Sequence, residues 1–157
     1  MKKYLVIGNP INHSLSPKLH NYWLKNNDIN GIYDKEQLDS SELKNLIQKI
    51  RNQEIHGANV TVPFKKKIIS YLDELSPEAK ITQSVNTIYL NNKKIIGHNT
   101  DVEGFELAVK ETKYGVSGKK VFILGAGGVV ASIISALIKM KVARITISNR
   151  TKSKAES

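Results

Sequence analysis

The chain has 157 residues, 40% of them hydrophobic, enough for the core of one ordinary domain or of a small domain and part of a second. It contains no cysteine, which excludes disulfide frameworks, thiolate metal sites and a cysteine nucleophile, and accords with a cytoplasmic protein. The net charge of +10 rests on scattered lysines, with arginine only at Arg51, Arg144 and Arg150; this pattern points away from nucleic acid and toward an acidic small molecule or a phosphorylated cofactor.

The apolar run Tyr4–Ile7 stops at Gly8-Asn9-Pro10 and reads as a buried strand and turn, too short for a secretory leader. No segment approaches the ~20 apolar residues that cross a membrane. Ser16-Pro17 predicts an N-cap with proline in the first helical turn, and the helix should run to about Lys25. A short strand is expected over Ile32–Asp34. Ser40-Ser41-Glu42 opens a second helix whose Leu43, Leu46, Ile47 and Ile50 share one face. Ala58–Val62 reads as a strand, Phe64–Leu72 as a helix, and Ser76-Pro77 as another capped start. Val85–Leu90 and Lys94–Gly97 form a hairpin-like pair turning at Asn91-Asn92. A helix over Asp101–Lys113 leads to the strand Lys120–Leu124, a turn at Gly125-Ala126-Gly127-Gly128, a helix over Val129–Met140 and a strand at Ala143–Ser148.

Alternating strands and helices predict an α/β protein with a mainly parallel open sheet, followed by an incomplete dinucleotide-binding domain of Rossmann type. The expected boundaries are 1–101 for a substrate-binding and catalytic domain, 102–118 for a connecting helix and joint, and 119–157 for the partial cofactor domain. In that last segment Val121, Ile123, Ile145 and Ile147 are expected to expose apolar faces, so that the segment is either poorly ordered or paired with another copy in a homodimer.

Strand, glycine-rich turn, helix, strand is the opening of a dinucleotide-binding unit, in which small residues let a pyrophosphate reach the helix N-terminus. The third small position of the usual fingerprint holds Val130 here, and such turns also arise from packing alone. The next strand ends in Ser148-Asn149-Arg150-Thr151 where an NAD site usually places an acid. A guanidinium suits a 2′-phosphate, which favours NADP; a solvated strand-end charge is the plainer reading of Arg150. Lys152 and Lys154 assist or are simply exposed.

Polar clusters fall where strands and hairpins end: His13-Ser14-Leu15-Ser16-Pro17, Asn59-Val60-Thr61-Val62-Pro63-Phe64-Lys65, Ser84-Val85-Asn86-Thr87 and Asn99-Thr100-Asp101. Their hydroxyls and amides, with Lys65 and Asp101 as an ionisable pair, suit a small polyhydroxylated ligand. Each also has an ordinary reading. Ser16 and Asp101 could cap helices, Thr61 could be a strand residue, and Asn86 and Asn99 could be turn residues. Lys65 lies in a lysine run of the kind that is usually solvated. His13 and His98 show no partner, and no H-E-x-x-H spacing marks a metal site.

These strings, in this order, resemble the shikimate dehydrogenase family. The resemblance is carried by Gly8-Asn9-Pro10, by the clusters just named, by Gly97-His98-Asn99-Thr100-Asp101 with Gly104-Phe105, by the glycine-rich turn and by Asn149-Arg150-Thr151. It implies reversible, NADPH-dependent reduction of 3-dehydroshikimate to shikimate in aromatic amino-acid biosynthesis. Ser14 and Ser16 would bind the substrate carboxylate, and Asn59, Thr61, Asn86 and Asp101 the ring hydroxyls. Lys65 and Asp101 would be the catalytic pair, contacting substrate as well. Gly125, Ala126, Gly127, Gly128 and Val129 would form the cofactor turn, with Asn149, Arg150 and Thr151 around the adenosine 2′-phosphate. The chain is expected to be truncated. A shikimate-binding fragment without turnover and a quinate/shikimate dehydrogenase are the alternatives.

Overall fold

In the computed structural model, which describes residues 1–153, the first apolar run lies within strand β1 (Lys2–Gly8), where Leu5, Val6 and Ile7 are all buried. Strands flanked on both sides in a parallel sheet read as continuous apolar runs for this reason. β1 is paired in parallel with β2 (Gly31–Gln37) on one side and β3 (Gly57–Val60) on the other. A very short strand, β4 (Glu74–Leu75), precedes the hairpin of β5 (Thr87–Asn91) and β6 (Lys94–His98). The sheet order is β2-β1-β3-β5-β6-β4; β5 runs antiparallel to both neighbours and the other pairings are parallel, so the sheet is mostly parallel. The hairpin turns at Asn92-Lys93, one residue later than predicted, because those two residues take the positive φ (47° and 66°) that a tight two-residue turn demands.

The second predicted helix packs as its spacing requires. In α2 (Leu43–Arg51), Leu43, Leu46, Ile47 and Ile50 are buried. Its approach is a 3-10 turn over Ser40–Glu42, held by a capping box in which Asp39 and Glu42 satisfy each other's backbone N–H. The cap expected at Ser16 is not there. In α1 (Ser16–Asn26), Leu15 occupies the cap position without a side-chain bond, and Ser16 is already helical. The Ser14 hydroxyl accepts the Ser16 N–H instead, at 3.3 Å. α3 (Phe64–Lys67) is a single turn continued by a 3-10 turn over Ile68–Tyr71. Where the sequence places a cap at Ser76, the structure agrees: its hydroxyl accepts the Ala79 N–H at 3.2 Å and opens α4 (Pro77–Thr82). Ser76→Ala should therefore lower stability by about 1 kcal/mol, read as a shift in the urea midpoint with an unchanged slope.

The chain divides into two compact units, the first ending at His98 and the second beginning at Asn99. The second holds α5 (Asp101–Glu111), β7 (Lys120–Leu124), α6 (Val130–Lys139) and β8 (Arg144–Ser148). β7 and β8 pair in parallel from Lys120–Arg144 to Leu124–Ser148, as a crossover through α6 requires. The expectation about exposed apolar side chains is corrected here. Val121, Ile123, Ile145 and Ile147 are half-buried, whereas Phe122 and Leu124 are 60% and 81% exposed. Side chains alternate across a strand, and a single crossover helix covers one face only. Lys154 lies outside the described residues.

Candidate functional site

Four termini meet at one end of the larger sheet. β1 and β3 run in parallel with Ile7 opposite Val60, so Gly8 and Thr61 leave the sheet side by side. The backbone bonds Thr61 N–H to Ile7 O (2.9 Å) and Asn9 N–H to Val62 O (3.0 Å) hold the two loops together. β5 enters and β6 leaves at the same end, with Asn59 opposite Thr87 and Thr87 opposite His98. The loops carrying Ser14 and Ser16, Thr61 and Lys65, and Ser84 and Asn86 thus gather at the carboxyl ends of β1 and β3, where open α/β sheets bind ligands. Gly8 is required for this closeness: a Cβ there would sit 2.6 Å from the Thr61 side chain and 3.1 Å from Val62 O.

Within this group Ser14, Ser16, Thr61 and Lys65 are half-buried. In the lysine run, Lys66 and Lys67 are exposed, and Lys67 Nζ donates to Ser40 Oγ at 3.0 Å. Lys65 differs from them because it follows Phe64, which is buried in the main core, and because its carbonyl accepts the Val85 N–H at 2.9 Å. That bond ties the Lys65 backbone to the Ser84–Asn86 segment. His13 is exposed, and His98 Nδ1 lies 4.0 Å from Glu78 Oε2.

Asn59 is the most heavily bonded side chain of the group. Its Nδ2 donates to Asn86 O (3.2 Å) and Thr87 Oγ1 (3.1 Å), and its Oδ1 accepts the Tyr33 hydroxyl at 2.6 Å. Thr87 Oγ1 in turn donates to Asn86 Oδ1 at 3.1 Å. The sequence reading missed Tyr33 and left Thr87 without a role. Nothing local marks a strand tyrosine as functional; only the sheet order brings it to Asn59. Asn21 secures Tyr33 by accepting its N–H (2.9 Å) and donating to its carbonyl (2.7 Å). Burial pushes the Tyr33 phenol well above its usual range and lowers the pKa of His20, whose ring stacks on Tyr33 at 4.1 Å.

In the second unit Asp101 is half-buried and is the first residue of α5, not its cap. Its N–H is accepted by Asn99 Oδ1 at 2.9 Å, and Asn99 Nδ2 donates to Ser132 Oγ of α6 at 2.9 Å, both side chains being buried. The glycine-rich turn adjoins the N-terminus of α6, with exposed Val129 at the cap position. Gly125 has φ +99°, and a Cβ added at Gly125, Gly127 or Gly128 would meet nothing within 4 Å. Packing among the described residues therefore does not demand glycine at 127 and 128; open backbone is what a pyrophosphate at a helix N-terminus needs. Asn149 braces the turn: its Oδ1 accepts the Ala126 N–H at 3.2 Å and its Nδ2 donates to Thr151 O at 2.7 Å. Arg150 is exposed beside it, and no acidic residue stands in the first turn of α6. An anionic dinucleotide fits this donor set.

Residues 6–88 match the family model for the shikimate dehydrogenase substrate binding domain, and residues 106–157 match that for shikimate / quinate 5-dehydrogenase. The chain belongs to the shikimate dehydrogenase family. Among relatives of this family, the NADP(+) shikimate dehydrogenase of Pelagibacter ubique (strain HTCC1062) is 62% identical over 154 residues, which are 98% of this chain and 58% of that protein. The crystal structure of Aquifex aeolicus shikimate dehydrogenase is 38% identical with a TM-score of 0.93, covering 99% of this chain and 58% of the other. The Thermus thermophilus shikimate 5-dehydrogenase, solved in complex with NADP(H) and shikimate, is 31% identical with a TM-score of 0.90 over 99% and 59% of the two chains. The chain thus spans a little under three fifths of the length of the relatives it matches, and it carries their mixed α/β architecture with its Rossmann-type βαβ unit. Among the described residues, no helix is long and apolar enough to cross a membrane.

Proposed function

We propose that this protein serves the reversible, NADPH-dependent reduction of 3-dehydroshikimate to shikimate, a cytoplasmic step of aromatic amino-acid biosynthesis. The observation that carries this reading is the gathering of the Ser14, Asn59-to-Lys65 and Ser84-to-Thr87 loops at one end of a sheet, in a chain of this family. Ser14 and Ser16 offer hydroxyls to a ring carboxylate. Asn59, Thr61, Asn86 and Asp101 hold ring hydroxyls.

Reduced nicotinamide, when bound, supplies the hydride. As the ketone carbon accepts it, the carbonyl oxygen gains negative charge and needs a proton. A lysine is normally protonated at neutral pH, and Lys65 is the donor we assign, with Asp101 as the carboxylate of the catalytic pair. Gly125, Ala126, Gly127, Gly128 and Val129 keep the approach to α6 open for the pyrophosphate, while Arg150, beside Asn149 and Thr151, takes the 2′-phosphate.

The family model over residues 106–157 also names quinate, so a quinate/shikimate dehydrogenase is the second reading. Melting curves of the full chain with each acid test both. Shikimate at about a hundred times its dissociation constant should stabilise the fold by roughly 2.7 kcal/mol. The shift should vanish in a Lys65→Ala, Asp101→Ala double variant. An equal shift with quinate supports the broader enzyme. No shift with either acid removes both readings, and binding without any turnover leaves a shikimate-binding protein.

A further inference from the structure

We propose that Asn99 and Ser132 form a positioning pair: one buried side-chain amide fixes Asp101, at the start of α5, against the first turn of α6, the helix that follows the glycine-rich turn. The proposal rests on the reading of Asp101 as a ligand-contacting carboxylate and of that turn as the cofactor site. It adds two residues to which that reading gives no part.

Hydrogen-bond inventory fixes the amide. A backbone N–H can only donate, so the Asn99 atom 2.9 Å from the Asp101 nitrogen is the oxygen, Oδ1. The amide nitrogen then faces Ser132 Oγ at 2.9 Å and donates to it. Each bond sits at the opening turn of a helix. Asp101 is the first residue of α5, and its N–H is one of those that a helix leaves without an intrahelical partner. Thr100, at the cap position, makes no capping bond with its side chain, and Asn99 supplies the acceptor from two residues upstream. Ser132 lies in the first turn of α6, among Val130, Ala131, Ile133 and Ile134. It is fully buried and Asn99 is 1% exposed, so water cannot stand in for either partner. α5 and α6 also pack together, but apolar contact is non-directional, whereas a hydrogen bond weakens steeply as its angle changes. Further along the same helices Glu106 Oε1 lies 3.9 Å from Lys139 Nζ; that lysine is 48% exposed, and such pairs fix little. The buried amide is thus the directional contact between the carboxylate-bearing end of α5 and the opening of α6. Chemistry between a bound substrate and a cofactor is sensitive to displacements of about 1 Å, which gives this contact its consequence.

Ser132→Ala removes the acceptor with almost no change in volume. In the ligand-free full chain, hydrogen exchange at the Asp101 N–H should then speed up about three- to tenfold, the range a single neutral hydrogen bond supports. Exchange along the rest of α5 and α6 should keep the parent's rates. Ser135→Ala deletes a second buried hydroxyl of α6, one turn on, and should leave Asp101 as it is in the parent. Shikimate affinity should fall by the same three- to tenfold in Ser132→Ala and hold in Ser135→Ala. Where turnover is measured, kcat should fall by that factor with the KM for NADPH within about twofold, since Arg150 and the glycine-rich turn are intact. Unchanged Asp101 exchange in Ser132→Ala would overturn the pair, whether or not the chain binds shikimate. Faster exchange throughout both helices, matched by Ser135→Ala, would also overturn it and reduce Ser132 to a stability contact. A parent that binds shikimate while Ser132→Ala binds it equally well would overturn the positioning role and leave the proposed function standing. A parent that does not bind shikimate removes that function, and the Asp101 exchange rates then decide the pair by themselves.

Discussion

Under the proposed function, replacing Lys65 with alanine should slow NADPH-dependent reduction of 3-dehydroshikimate by about 10²-fold or more, the usual size of a lost acid–base group. The loss should fall on kcat, because the proton is needed only as charge develops on the oxygen. Lys66→Ala is the control. Lys65 and Lys66 are adjacent and chemically identical, but Lys65 is half-buried and Lys66 is exposed. The Lys66 variant should stay within about twofold of the parent, as an exposed charge away from reacting atoms does. Equal losses in both variants would point to the net charge of the run. An unimpaired Lys65→Ala would remove lysine from the chemistry and leave the proton to another group at the same end of the sheet.

Phe64→Ala should cost about 3–5 kcal/mol of folding stability, the range found when a buried aromatic ring is deleted. That is a large part of the ~5–15 kcal/mol that holds a domain folded. Phe64 is 1% exposed and packs in the main core with Ile7, Val60, Ile68 and Val85. Its N–H is bonded to Thr61 O at 2.9 Å, so the ring also anchors the turn that presents Lys65. Phe64→Leu retains most of the volume and should cost well under half as much. Urea unfolding of the two variants and the parent measures this directly. A Phe64→Ala midpoint close to that of the parent would mean that the surrounding side chains collapse into the space. The role of the ring in seating Lys65 would then need another account.

Parts of this protein were legible without coordinates because they depend on near neighbours in the chain. Leu5, Val6 and Ile7 of the first apolar run are buried in β1, the Leu43, Leu46, Ile47 and Ile50 stripe faces the core of the first unit, and β7 has its predicted bounds of Lys120–Leu124. Period, turn chemistry and proline or glycine punctuation act over a few residues, and a single sequence displays them. The polar strings that match the family were visible for the same reason, since each is a loop bounded by such signals.

Tertiary structure decided what depends on distant neighbours. Glu74–Leu75 is a strand only because β6 lies beside it. The cap position of α1 falls at Leu15 and not at Ser16; the Ser14 hydroxyl accepts the Ser16 N–H, and the Ser16 side chain is left out of the cap. The face of β7 that carries Phe122 and Leu124 is exposed, while the face with Val121 and Ile123 is half-buried; alternation alone assigns no preference between two apolar faces. Tyr33 meets Asn59 across 26 positions of sequence because β1 lies between their strands and aligns all three in parallel. By itself, the sequence determined most of the strand and helix inventory, though not β4 or the 3-10 continuation of α3, and the chemical groups available to a ligand. Only the order of strands in the sheet decided which of those groups converge and which way their hydrogen bonds point, because that order is set by long-range packing that no local pattern encodes.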